Sequence, residues 1–161
     1  MIEGGIGADV LTGGLGRDSF ILSPGQSGQS VGFDVITDFS KGALFVGDLI
    51  DFSLSLSIGG SSAAATATEA SVNQSSGVAT FASGSGTSLL DALSDVASRF
   101  TAATDSVGEF AFFKVASTGN YYMFISDGAA GVTSNDVVAQ LTGVTSISAI
   151  DLTGGNLTIT S

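Results

Sequence analysis

The sequence predicts an all-β protein with one short helix, and three observations lead to this fold class. A nine-residue unit, Gly-Gly-x-Gly-x-Asp followed by a short run containing large apolar residues, occurs twice in succession near the start of the chain. Apolar residues alternate with other residues over much of 108–161, as they do in half-buried strands. Residues 88–100 instead have the apolar spacing of one helical face.

The composition limits the functions open to the chain. Its 161 residues include 43% hydrophobic residues, enough to bury a core. Fifteen acidic residues against four basic ones give a net charge of −11, which favours a cation over nucleic acid or an anionic membrane as partner. Histidine and cysteine are absent, which excludes zinc and copper sites, thiol nucleophiles, disulfides and an imidazole base. Apolar runs are too short for a membrane span.

The two units, residues 4–12 and 13–21, follow one another without a gap. Glycine permits positive φ and lacks a Cβ, so each turn can fold tightly and direct carbonyl oxygens at one point. Calcium takes six to eight such oxygens, and the aspartate adds a charged one. A plain glycine-rich turn does not account for both aspartates, and a dinucleotide-binding fingerprint fails because Val10 stands where its third glycine should be. The expected calcium ligands are Asp9, Asp18 and the carbonyls of Gly5, Gly7, Gly14 and Gly16.

This stretch resembles the nonapeptide G-G-x-G-x-D-x-U-x of RTX proteins, which bind calcium and are exported by type I secretion systems. The resemblance implies a calcium-bound parallel β-roll, in which successive turns lie on opposite edges and an ion binds between turns stacked on one edge. Because two repeats supply only one turn to each edge, it also implies further repeats upstream in a longer parent protein.

The resemblance continues through "FDVITDF" (33–39), Gly42 and "DLIDFS" (48–53), which are similar to the segment after the last repeats of serralysin proteases and other type I substrates. It implies that Asp34 and Asp38 close the last calcium site. A longer spacing between Gly42 and Asp48 leaves the roles of Asp48 and Asp51 open. For all four aspartates, a solvated strand end is the alternative.

The chain divides into three parts on this interpretation. Residues 1–53 form the end of the β-roll and its capping strands, and residues 54–86 form a Ser/Ala/Thr-rich loop or edge segment that buries little. Residues 87–161 form the helix and a β-sandwich-like cap. Ser88 with Asp91 resembles a capping box at the start of the helix.

Within the cap, two strands are expected around the turn at residues 118–120, in a sheet with one buried face, and further strands in "NDVVAQLTGV" and "NLTITS". The string from "TGNYYMFISDG" to "DVVAQLTGV" resembles the end of RTX proteins of the Ala/Thr-rich surface-layer type. Asp127, Asn135 and Asp136 either bind a further cation or cap turns.

Two hypotheses for function follow from the resemblance. In the first, the chain is a non-catalytic, calcium-binding C-terminal region of a secreted RTX protein, found outside or on the surface of a Gram-negative bacterium. It couples calcium-triggered folding to export, and its last few dozen residues are the uncleaved signal read by the type I transporter. The parent is then a surface-layer or adhesin-like protein, with neighbouring copies in a lattice as partners. In the second, the same tail belongs to a secreted enzyme such as a protease or lipase.

Overall fold

The described residues form two β-sheets, a separate β-hairpin and one short helix. The computed structural model describes residues 1–28, 32–42, 46–100, 106–154 and 156–161. Regular structure in these ranges is mainly β-strand with a single α-helix, which confirms the predicted all-β class with one short helix. No helix in the described ranges is long and apolar enough to cross a membrane.

Five short strands begin the fold. They are β1 (Ile2–Glu3), β2 (Val10–Leu11), β3 (Ser19–Leu22), β4 (Asp34–Ile36) and β5 (Leu49–Phe52). β1, β3 and β5 pair in parallel in sheet A, whereas β2 and β4 pair in parallel in sheet B. The chain therefore crosses between the sheets after every strand, and its connections lie alternately at two rims.

Each rim contains one repeat turn and one later connection. The first rim consists of residues 4–9, between β1 and β2, and of the described residues, 23–28 and 32–33, of the connection between β3 and β4. The second rim consists of residues 12–18, between β2 and β3, and of the described residues, 37–42 and 46–48, of the connection between β4 and β5. Each repeat turn is thus stacked on a connection that follows it in the chain.

The other elements extend both sheets and cover one of them. In chain order they are β6 (Ser57–Ile58), β7 (Ser71–Val72), β8 (Ala79–Thr80), α1 (Leu89–Ala97), β9 (Glu109–Lys114), β10 (Tyr121–Ile125), β11 (Val137–Leu141), β12 (Ile150–Thr153) and β13 (Asn156–Ile159). The strand order is β1-β3-β5-β13-β12 in sheet A and β2-β4-β11-β10-β9-β6 in sheet B, while β7 and β8 form the separate hairpin.

Strands β9, β10 and β11 of sheet B are buried on both faces. Alternate residues of β9 and β10, such as Phe112 and Met123, join a core shared with sheet A. Their neighbours Phe113 and Tyr122 join a second core with α1 and the β7–β8 hairpin. The prediction of one buried face is therefore wrong, because a strand whose residues point alternately to two cores is buried throughout.

Helix α1 begins where the sequence predicts. The hydroxyl of Ser88 accepts the Asp91 amide at 3.2 Å, which confirms an N-cap at this residue. Leu93 and Val96 are buried in the second core, whereas Leu90 is 62% exposed. The buried helical face is therefore narrower than the apolar pattern indicates.

The Ser/Ala/Thr-rich segment buries more than its composition predicts. Val72 and Ala70 are fully buried against α1. Arg99, just after the helix, donates from Nε to the Ala70 carbonyl and from Nη2 to the Ala64 carbonyl at 2.7 Å, and it pairs with Glu69 at 3.4 Å. The Arg99 side chain thus links residues 64–70 to the end of the helix.

Candidate metal site

The second and fourth residues of each repeat turn are glycines with positive φ. The angles are +92° and +126° at Gly5 and Gly7, and +89° and +107° at Gly14 and Gly16. A Cβ at any of these four positions would meet no atom within 4 Å. Backbone conformation, and not lack of space, therefore requires glycine there, as the sequence analysis expected.

The first glycine of each turn is required for a different reason. A Cβ built on Gly4 would lie 2.7 Å from Oδ2 of Asp9, and one on Gly13 would lie 2.8 Å from Oδ2 of Asp18. Each aspartate therefore folds back over the start of its own turn. Sequence reasoning did not assign this role to Gly4 and Gly13, although the doubled glycine of the repeat is its signal.

At the first rim, Asp9 and Asp34 stack on one another. The Asp9 amide donates to Oδ1 of Asp34 at 3.0 Å, and the Val35 amide donates to the Asp9 carbonyl at 2.8 Å. Asp34 is buried, and its own amide donates to the Ser27 hydroxyl at 2.7 Å. The Gly7 amide donates to the Gln26 carbonyl at 2.9 Å, which joins the repeat turn to the β3–β4 connection.

At the first rim, one of the two carboxylates has an oxygen that lacks a hydrogen-bond partner. Oδ2 of Asp9 is buried and accepts no hydrogen bond, one of two such side-chain atoms in the described part of the chain. Burial raises the pKa of Asp34, and the negative charge of Asp9 raises it further. A cation bound here would stabilise both carboxylates.

At the second rim, protein amides surround the carboxylates. Asp38 accepts the Gly13 amide at 2.9 Å and the Gly14 amide at 2.7 Å, and these bonds lower the pKa of Asp38. Asp48 accepts the Asp18 amide at 2.8 Å and the Ser40 amide at 2.8 Å. Asp48 is 2% exposed, so it is not the solvated strand end that was the alternative for it.

The eight residues expected to bind calcium lie in two groups of four. Those of the first rim are Gly5, Gly7, Asp9 and Asp34, and those of the second are Gly14, Gly16, Asp18 and Asp38. Strand register also makes Asp34 and Asp48 equivalent, since they immediately precede the partners of Val10 and Ser19. Asp51 lies within β5 and is outside both groups.

The loop between β10 and β11 satisfies its own carboxylates. Asp136 accepts the amides of Asp127 at 2.8 Å and Thr133 at 2.6 Å. Asp127 accepts the Ala129 amide at 2.9 Å and the Thr133 hydroxyl at 2.8 Å. Such turn-capping bonds were the alternative to a bound cation at this loop. All four carboxylate oxygens of Asp127 and Asp136 accept one.

Burial has the largest effect on the pKa of Asp136. It raises the pKa of Asp136 to about 6, and the negative charge of Asp127 contributes in the same direction. Burial also acts on Asp127, but hydrogen bonds from Ala129 and Thr133 outweigh it and lower the pKa of Asp127. Asn135 is the third residue considered for a cation. Its backbone carbonyl accepts the Gly25 amide at 3.1 Å.

Carboxylates alone could not complete a calcium shell at either rim. Among the described residues, no group of three or more acidic side chains comes together to hold a metal ion. Since calcium takes six to eight oxygens, most ligands would have to be backbone carbonyls or water. The positive-φ glycines of the repeat turns are the feature that could direct such carbonyls inward.

Comparison with known proteins finds no family profile and no curated protein that matches this chain.

Proposed function

We propose that this protein is a non-catalytic calcium-binding module of a secreted RTX protein, in which calcium binds at the rim of a parallel β-roll. The observation that supports this best is the buried, unpartnered Oδ2 of Asp9 beside the buried carboxylate of Asp34. Two close carboxylates without a cation are unfavourable, and a divalent ion relieves this repulsion directly.

The donor set suits calcium in particular. Carboxylate and carbonyl oxygens are hard ligands, and the repeats contain no histidine or cysteine to bind a transition metal. When bound, the ion supplies positive charge to the rim. The chain's own residues do the rest: Asp9 and Asp34 provide charged oxygens, and Gly5 and Gly7 shape the turn whose carbonyls complete the shell.

The strand topology supports a parallel β-roll at the start of the chain. Strands β1 to β5 alternate between two sheets and pair in parallel within each, which is the winding of a β-roll. We extend this to a calcium-bound parallel β-roll that runs into a β-sandwich-like cap. The antiparallel strands β9 to β13 supply the cap and share a core with the roll.

Export is the process that such a module would serve. With a net charge of −11 and many turn glycines, the ion-free roll is costly to order, so calcium binding would favour folding outside the cell. Binding at a hundredfold excess over Kd adds about 2.7 kcal/mol per site. The type I transporter would read the last few dozen residues before they fold. The parent would be a surface-layer or adhesin-like protein of a Gram-negative bacterium.

A calcium titration by calorimetry, paralleled by circular dichroism, tests the binding proposal. We expect saturable binding with a gain of β-structure, and Asp9→Asn should weaken the affinity at least about tenfold, or ~1.4 kcal/mol. Asp151→Asn is the matched control, since Asp151 lies in β12 at the far side of sheet A and should leave the isotherm unchanged. Absence of calcium binding would overturn the proposal.

Export is tested separately. Residues 108–161, fused after a reporter, should be secreted by a cell that has a cognate type I transporter and retained by one that lacks it. Retention in both cells would refute the export signal while leaving calcium binding in place.

A further inference from the structure

The two rims differ in how their carboxylates are satisfied. At the second rim, all four oxygens of Asp38 and Asp48 accept backbone amides, from Gly13, Gly14, Asp18 and Ser40. At the first rim, Asp34 accepts the Asp9 amide, but Oδ2 of Asp9 has no partner. Of the buried carboxylate oxygens described at the two rims, the one without a hydrogen-bond partner therefore lies at the first rim.

Strand register gives the reason for this difference. Leu11 pairs with Ile36, so Gly13 stands opposite Asp38, two residues further along both strands. Glu3 pairs with Ile21, so Gly4, the equivalent first glycine, stands opposite Leu22. A carboxylate therefore faces the start of the second repeat turn, whereas an apolar residue with no acceptor in its side chain faces the start of the first.

Amide donors can replace a cation in satisfying a carboxylate. Hydrogen bonds to a charged acceptor are about twice as strong as those between neutral groups, and two of them hold a carboxylate in its ionised form. Asp38 also fixes the Gly13 and Gly14 amides, which would otherwise be free to reorient in a glycine turn.

We propose that calcium orders only the first repeat turn, and that Asp38 and Asp48 hold the second repeat turn in its folded form without an ion. This rests on the proposed calcium-binding function and specifies where that function acts. The first repeat turn would then become ordered when calcium binds, whereas the second repeat turn would stay folded with or without calcium. Only the first rim would bind an ion tightly, although both repeat turns have the same consensus.

The amides of Asp9 and Asp18 provide a matched pair of probes, because each donates to a carboxylate on the stacked connection. Amide exchange by NMR is measured in the full chain, with a chelator and with millimolar calcium chloride. We expect protection of the Asp9 amide to rise at least about tenfold with calcium, and protection of Asp18, Gly13 and Gly14 to be high in both conditions.

Failure of this inference is distinguishable from failure of the proposed function. If Asp9 and Asp18 gain protection equally with calcium, the division between the rims is refuted and calcium binding stands. If neither amide changes and calorimetry shows no heat of binding, the proposed function itself fails.

Substitution of Asp38 is a second test of the proposed difference between the two rims. Asp38→Ala should remove protection of Gly13 and Gly14 in chelator while the calcium Kd changes less than about threefold. A Kd increase of tenfold or more would make Asp38 a calcium ligand and overturn the inference. The exchange comparison in the unsubstituted chain decides the matter if the variant does not fold.

Discussion

Gly4 lies directly beneath the carboxylate of Asp9, at a distance that leaves no room for a methyl group. A Cβ on Gly4 would stand 2.7 Å from both Cβ and Oδ2 of Asp9. This contact holds the aspartate over its own turn. It links the first residue of the repeat to the sixth, and it explains why the repeat begins with two glycines that have different tasks.

Gly4→Ala should therefore displace the Asp9 carboxylate and weaken calcium binding at least about fivefold, or ~1 kcal/mol, by calorimetry. Gly13→Ala is the matched variant, because it creates the same collision with Asp18 at the second rim. It should lower thermal stability but leave the calcium Kd within about twofold. Equal loss of affinity in both variants would contradict a role specific to the first rim.

Acidification should favour folding through Asp136. Its pKa is raised to about 6 in the folded protein, above an unfolded value of about 3.9, so the folded state binds the proton more tightly. The stabilisation is full below the unfolded pKa and is lost as pH rises through 6. In urea unfolding, the free energy of unfolding of the unsubstituted chain relative to Asp136→Asn should decrease between pH 4 and 6.5. A constant difference across that range would contradict the raised pKa.

Arg99→Ala should destabilise the protein by about 1–3 kcal/mol, since it removes two hydrogen bonds and an ion pair that fix residues 64–70. Lys41→Ala removes an exposed positive charge whose Nζ donates to the carbonyl and hydroxyl of Ser146, and it should change stability by less than about 0.5 kcal/mol. Chemical denaturation of both variants makes the comparison. Equal effects would show that Arg99 acts through net charge alone.

Val72→Ala should cost about 1–3 kcal/mol, because Val72 is fully buried between the hairpin and α1. Val10→Ala, at a position 72% exposed on β2, should cost no more than about 0.5 kcal/mol. The midpoints of denaturant unfolding give both values. If Val72→Ala were as mild as its control, the Ser/Ala/Thr-rich segment would not be part of the core.

Features with a local physical cause were predictable from the sequence. Positive φ at the repeat glycines, the Ser88 cap and the turn between β9 and β10, where Gly119 has a φ of +71°, each depend on a few adjacent residues. The burial of Ala70 could not be predicted, because small residues enter a core without a hydrophobic pattern.

The equivalence of Asp34 and Asp48 also escaped prediction. Asp9 pairs with the first across 25 positions, but Asp18 pairs with the second across 30, so the repeat has no constant spacing at this point. Only strand register reveals it. The placement of Asp38 against two glycine amides likewise depends on stacking between coils, which the spacing of single residues does not encode.

The position of β13 affects the order in which the chain can fold. β13 lies between β5 and β12, with Leu157 opposite Ile50, a residue more than half the chain earlier. β5 can pair with β3 early, but its other edge stays open until residues 156–159 reach it. The folding chain is therefore exposed to pairing with other chains for longer than a protein built from local hairpins. Deep burial of Leu157 and Ile159 makes this last step the one that closes sheet A.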